Sequence, residues 1–133
     1  MRKDSRILRV LVVDDEPLIL WGISKFLEKK SMVKTVATAE EALDEIRTKH
    51  YDLCFLDVVL PDMTGLDVMK IIYEQSPETK VAIMSGSSLN EDSKQEIEEY
   101  AYTFIEKPFD LSDIMEVIDK ATAGLNGEES YFS

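Results

Sequence analysis

Asp14 and Asp15 close one short apolar run, Asp57 closes another, Ser85 follows a third and Lys107 follows a fourth. Carboxylates, a hydroxyl and an ammonium group together suit phosphoryl chemistry. A carboxylate can act as a nucleophile and form an acyl phosphate. Transfer of a phosphoryl group needs mainly positioning and charge stabilisation, which a lysine and a hydroxyl donor supply. Three carboxylates brought together repel one another; at an effective dielectric near 20, two such charges ~4 Å apart cost about 4 kcal/mol. A cation among them offsets that cost. Hard oxygen ligands in a small open site suit Mg²⁺, with water in the remaining positions. Singly, each residue has a plainer role: a strand-end aspartate caps the next helix, Lys107 is solvated, Ser85 serves a turn. The phosphoryl reading therefore depends on the chain bringing them together.

The apolar pattern says that it does. Runs occur at Ile7 to Val13, Val33 to Val36, Leu53 to Leu56, Val81 to Met84 and Tyr102 to Ile105. The first, third and fourth are nearly continuous in apolar residues, as in strands buried on both faces of a parallel sheet. Helical patterns separate them. Pro17 suits a first helical position, with Leu20, Ile23 and Leu27 at helical spacing. Thr38-Ala39-Glu40-Glu41 and Ser88-Leu89-Asn90-Glu91 read as capping boxes. Thr64 to Gln75 carries Leu66, Met69, Ile72 and Tyr73, and Asp110 can cap a last helix striped with Leu111, Ile114, Met115, Ile118 and Ala121. This alternation predicts an α/β doubly wound five-stranded sheet with five helices on its two faces. In such sheets sites lie outside the carboxyl ends of the strands, where Asp14, Asp15, Asp57, Ser85 and Lys107 all fall.

Bulk properties narrow the function. The 133 residues make one domain, 44% hydrophobic and 32% charged. A net charge of -12, with no basic stretch denser than Lys29-Lys30, disfavours direct nucleic-acid binding and attachment to anionic membrane. No signal peptide or transmembrane run is read. The single cysteine, Cys54, permits no internal disulfide, fits a cytoplasmic setting and reads as a small core residue. Trp21 and the methionines read as packing residues. Boundaries are expected at 1–6 for an N-terminal tail, 7–124 for the domain and 125–133 for a tail or the start of a linker.

The motifs resemble the receiver domain of bacterial two-component response regulators over Ile7 to Gly124. The likeness rests on Val12-Val13-Asp14-Asp15-Glu16, Asp57-Val58-Val59-Leu60-Pro61-Asp62-Met63-Thr64-Gly65, Met84-Ser85-Gly86 and Lys107-Pro108-Phe109. It implies a flavodoxin-like sheet of strand order 2-1-3-4-5. It implies that Asp57 is phosphorylated by a histidine kinase, and that Asp15, Asp57 and the backbone carbonyl of Val59 ligate Mg²⁺. Asp14 then holds metal-bound water, Lys107 pairs with the phosphoryl group, Ser85 swings toward it, and Phe104 follows that swing. The Lys107-Pro108 bond is implied to be cis. The chain departs from the family's usual glycine at Tyr100 and usual alanine at Gly86, which leaves more room at the site. Phosphorylation would bias an equilibrium in the fourth helix, fifth strand and fifth helix, a face also suited to a homodimer. Leu89 to Tyr100 is strongly acidic and has one strong interior anchor, Ile97, which predicts a loosely held helix. Val59, near the path of attacking water with Ser87, has no group to orient that water, so self-dephosphorylation is expected to be slow to moderate.

Other functions fit less well. Haloacid-dehalogenase-like phosphatases need an acid two residues after the nucleophile, where Val59 stands. The expected chemistry is therefore self-phosphorylation and self-dephosphorylation rather than turnover of external substrates. A flavodoxin-like cofactor binder would need a glycine- or hydroxyl-rich loop where Asp14-Asp15-Glu16 stands. The sole histidine, His50, precedes the third strand, away from the site edge. Stand-alone regulator and receiver part of a longer protein both remain open. The downstream target is either a partner protein or an attached output domain.

Overall fold

Five parallel strands in the order β2-β1-β3-β4-β5 form the centre of the protein. The structure, a computed structural model, describes residues 7–86 and 89–125. The elements alternate as β1 (Leu8–Val13), α1 (Pro17–Leu27), β2 (Ser31–Val36), α2 (Ala39–Thr48), β3 (Leu53–Asp57), α3 (Gly65–Gln75), β4 (Lys80–Ser85), α4 (Glu91–Tyr100), β5 (Thr103–Glu106) and α5 (Leu111–Leu125). The predicted strand order and helix count are thus both met. The expected tail at 1–6, residues 126–133 of the tail expected at 125–133, Ser87 and Ser88 lie outside the described residues, while Leu125 is the last residue of α5.

Strand periodicity explains the two cores. Val10, Val12, Leu53, Phe55, Ala82 and Met84 face α1 and α5, where Ile23, Leu27, Ile114 and Ile118 meet them. Leu11, Val13, Cys54, Leu56, Val81 and Ile83 point the other way, onto α2, α3 and Ile97 of α4. With both faces covered, the inner strands need apolar residues at every position, which is why their runs are continuous. Cys54 is fully buried there, and burial pushes its thiol up to about 12.

Caps set the helix starts. Pro17 opens α1 as expected. Thr38 accepts the Glu41 N–H at 3.1 Å, and Glu41 accepts the Ala37 N–H at 3.0 Å. Asp62 adds a cap from another loop, accepting the Ala39 and Glu40 N–H groups at 2.9 and 3.0 Å; these bonds hold its carboxyl below the ordinary value. The cap of α4 is Asn90, accepting from Ser93 at 2.8 Å, in place of the expected Ser88. Asparagine serves as well as serine at this position, so the helix starts two residues later.

Trp21 departs from the packing expectation: it is 63% exposed, because the inward stripe of α1 is Ile23 and Leu27. Ile97 is the one buried residue of α4, as expected. Two ties to α3 supplement it: Lys70 Nζ meets Glu96 at 2.9 Å, and the Tyr73 and Tyr100 rings pack edge to face at 5.0 Å. The missing glycine at Tyr100 costs nothing locally. The following Ala101 caps the helix with extended backbone, so no left-handed residue is required. No described helix is long and apolar enough to cross a membrane.

Candidate functional site

The carboxyl ends of β1, β3, β4 and β5 meet at one edge, because parallel strands in register end together. Val13 pairs with Leu56, Asp57 with Met84, and Ser85 with Glu106. The residue after β1, the last of β3, the last of β4 and the residue after β5 are therefore neighbours. They are Asp14, Asp57, Ser85 and Lys107.

Lys107 knits the site together. Its Nζ lies 2.8 Å from Asp14 Oδ2 and 3.2 Å from Asp57 Oδ2. It also reaches Glu16 Oε1 at 3.2 Å. Asp14 is fully buried and Asp57 nearly so, while Asp15 and Glu16 are exposed at the rim. Burial pulls the Lys107 ammonium down, but the bond and charge of Asp14, then the charge of Asp57 and the bond to Glu16, outweigh it and hold it above the ordinary lysine value. Burial pushes Asp14 above its ordinary 3.8; the bonds from Lys107 and the Glu16 N–H oppose this, and the charge of Asp57 adds to it.

One carboxylate oxygen from each of Asp14, Asp15 and Asp57 lies within 4.8 Å of the others. With Glu16, four carboxylates face one ammonium, so the cluster keeps an excess of negative charge. Clustered hard oxygens with uncompensated charge, open to water on the Asp15 side, fit a divalent cation such as Mg²⁺.

The surrounding backbone fixes Asp57. The Val58 N–H donates to Met84 O at 3.0 Å, and the Val59 N–H donates to Asp57 Oδ1 at 3.2 Å. The Gly65 N–H donates to Val58 O at 2.7 Å, drawing α3 against the end of β3. A Cβ at Gly65 would lie 2.0 Å from Asp57 O and 2.9 Å from Val58 Cα, so only glycine fits. Ser85 is buried at the end of β4, and its carbonyl accepts the Lys107 N–H at 2.8 Å. Beside it, a Cβ at Gly86 would press Lys107 Cβ at 3.3 Å. The Lys107-Pro108 peptide is cis.

Five of the expected site residues thus share one edge: Asp14, Asp15, Asp57, Ser85 and Lys107. Val59 stands beside them, 63% exposed, and Phe104 lies on the outer strand β5, 43% exposed. His50 is elsewhere, its Nε2 2.9 Å from Asp52 Oδ1 before β3. Two contributors were not foreseen. Glu16 was read as part of a motif, with no signal that its side chain would turn back to Lys107. The role of Gly65 depends on a backbone approach that only the fold reveals.

The chain is similar to known proteins in sequence and fold. The family model described as the response regulator receiver domain matches residues 10–119. The nitrogen assimilation regulatory protein NtrX of Azorhizobium caulinodans is 35% identical over 115 residues, covering 84% of this chain and 25% of that protein. This chain spans about a quarter to a half of the length of the curated relatives it matches. A CheY-like response regulator receiver domain protein from Methanospirillum hungatei superposes with a TM-score of 0.86 at 27% identity, over 92% of this chain and 99% of that one. The response regulator TrrA of Thermotoga maritima, solved in complex with Mg²⁺-BeF, is 29% identical with a TM-score of 0.75, covering 86% of this chain and 99% of its own.

Proposed function

We propose that this chain, which belongs to the response regulator receiver domain family, is a signalling switch that accepts a phosphoryl group on Asp57 from the phosphohistidine of a histidine kinase. One observation carries the reading: Lys107 Nζ bridges Asp14 and Asp57 at 2.8 and 3.2 Å, beside a three-carboxylate cluster. In the transfer, an Asp57 carboxylate oxygen forms the new bond to phosphorus, and the bond from phosphorus to the donor nitrogen breaks. Lys107 swings its ammonium onto the arriving phosphoryl oxygens, and Ser85 donates its hydroxyl to one of them. Asp14, Asp15, Asp57 and the Val59 carbonyl would hold Mg²⁺, which supplies charge neutralisation for the transferred group.

The output follows from the same edge. Movement of Ser85 toward the phosphoryl group opens space behind it on β4, and Phe104 turns inward from its exposed position. The α4-β5-α5 face then changes shape and controls a partner protein, an attached output domain or a homodimer. Because α4 buries one residue, its position is the easiest to shift. With hydrolytic water unassisted by Val59, self-dephosphorylation is slow to moderate, and turnover of external substrates is not expected. The acidic surface disfavours direct nucleic-acid binding, and the protein works in the cytoplasm. Hydrogen exchange with and without Mg²⁺-beryllofluoride tests the switch: protection should change over α4 and β5. Unchanged protection there would refute the coupling.

A further inference from the structure

Glu16 stands outside the proposed chemistry yet touches its central cation. Its carboxylate lies 3.2 Å from Lys107 Nζ, the same distance as Asp57. The backbone holds it firmly at the start of α1. Its N–H donates to Asp14 Oδ1 at 2.9 Å, its carbonyl accepts from Ile19 and Leu20, and Pro17 follows. Lys107 is already held at 2.8 Å by fully buried Asp14, so anchoring the lysine does not need a further carboxylate. Glu16 is 61% exposed and borders, with Ile19, Gly86, Lys107, Pro108 and Phe109, a cavity of about 380 Å³. A phosphodonor that reaches Asp57 meets that negative charge across Lys107, which touches both carboxylates.

We propose that Glu16 is a specificity-determining residue whose carboxylate sets the site's preference among phosphodonors by their charge. It disfavours free dianionic acyl phosphates relative to donors carrying less negative charge. The proposal rests on Asp57 being the acceptor. Acetyl phosphate and phosphoramidate separate the effect. With the first, Asp57 oxygen bonds to phosphorus, the phosphorus–oxygen bond breaks and acetate leaves with the electron pair. With the second, the phosphorus–nitrogen bond breaks and ammonia leaves from the zwitterion, which carries one negative charge less. Glu16 and Asp57 each lie 3.2 Å from the same nitrogen, so these carboxylate oxygens are at most about 6 Å apart. In water-like dielectric, one unit of donor charge at that distance changes the rate about threefold.

The experiment measures phosphoryl uptake on Asp57 from each donor, at fixed pH and Mg²⁺, in the wild type, Glu16→Gln and Glu16→Asp. Glu16→Gln should raise the acetyl phosphate rate about threefold relative to the phosphoramidate rate at low salt, with the gap shrinking at high salt. Glu16→Asp should keep the wild-type ratio. In metal-free protein, the side-chain nitrogen resonance of Lys107 should keep its slow proton exchange in Glu16→Gln, since Asp14 still holds it. Equal rate changes with both donors, or loss of that protected resonance, would make Glu16 a mere prop for Lys107 and overturn the proposal. Absence of uptake on Asp57 from either donor in the wild type would instead refute the acceptor reading beneath it.

Discussion

Replacing Gly65 by alanine tests how tightly α3 is drawn onto the strand that ends in Asp57. The added Cβ would stand 2.0 Å from Asp57 O and 2.9 Å from both Asp57 C and Val58 Cα. All three are backbone atoms, so no side chain can rotate away. Relief requires α3 to retreat by roughly 1.5 Å, since contacts in the interior sit at ~3.5 Å. That retreat stretches the 2.7 Å bond from the Gly65 N–H to Val58 O and loosens Leu66, Met69 and Ile72. Overpacking of this kind costs about 3 kcal/mol or more. Urea unfolding should show that loss as a lower midpoint with an unchanged slope. A suitable control is Gly22→Ala. Gly22 lies within α1 with open space around its would-be Cβ, so alanine should stabilise by about 0.5–1 kcal/mol. If Gly65→Ala cost less than Gly22→Ala gained, the close approach of α3 to Asp57 would be wrong.

Asp14→Asn should raise the melting temperature at pH 7 while weakening metal-dependent phosphoryl uptake. The Asp14 carboxyl is raised above 3.8 by burial, so the folded chain holds that proton more tightly and stability falls as pH rises through the window above 3.8. The stabilising effect of asparagine should accordingly shrink toward pH 4, and a gain independent of pH would contradict the assignment. Thr38→Ala should cost about 1 kcal/mol through loss of the α2 cap, measured by urea unfolding. A double-mutant cycle on Tyr73 and Tyr100 should give a coupling of about 0.5–1 kcal/mol, and no coupling would mean that the rings do not tie α3 to α4. Cys54 should react with thiol reagents only at the rate of unfolding, since its thiol is fully buried and pushed up to about 12.

Most of the sheet was visible in the sequence because burial on both faces leaves continuous apolar runs, as in Leu53 to Leu56. The site was visible for a related reason. A charged residue interrupting such a run marks a strand end, and parallel topology sends all those ends to one edge. What stayed hidden depends on geometry that no local pattern encodes. Asp62 caps α2 from a loop 23 residues from Ala39. Glu16 shares a rim with Asp15, but only the turn into α1 aims it at Lys107. Trp21 looked like core because it lies among apolar neighbours; a helix buries one stripe, and Trp21 is off it. The helix-four cap was misplaced by two residues because Ser88 and Asn90 are both good caps and only the tertiary setting chooses between them.

Phosphoryl uptake measured by intact mass, with the modified residue located by peptide mapping, tests the central claim most directly. With Mg²⁺ and acetyl phosphate, the protein should gain one phosphoryl group. The gain should be lost on chelation of the metal and absent in Asp57→Asn. A label that survives that substitution, or one that forms equally well without a divalent cation, would contradict Asp57 as the acceptor in a metal-dependent site.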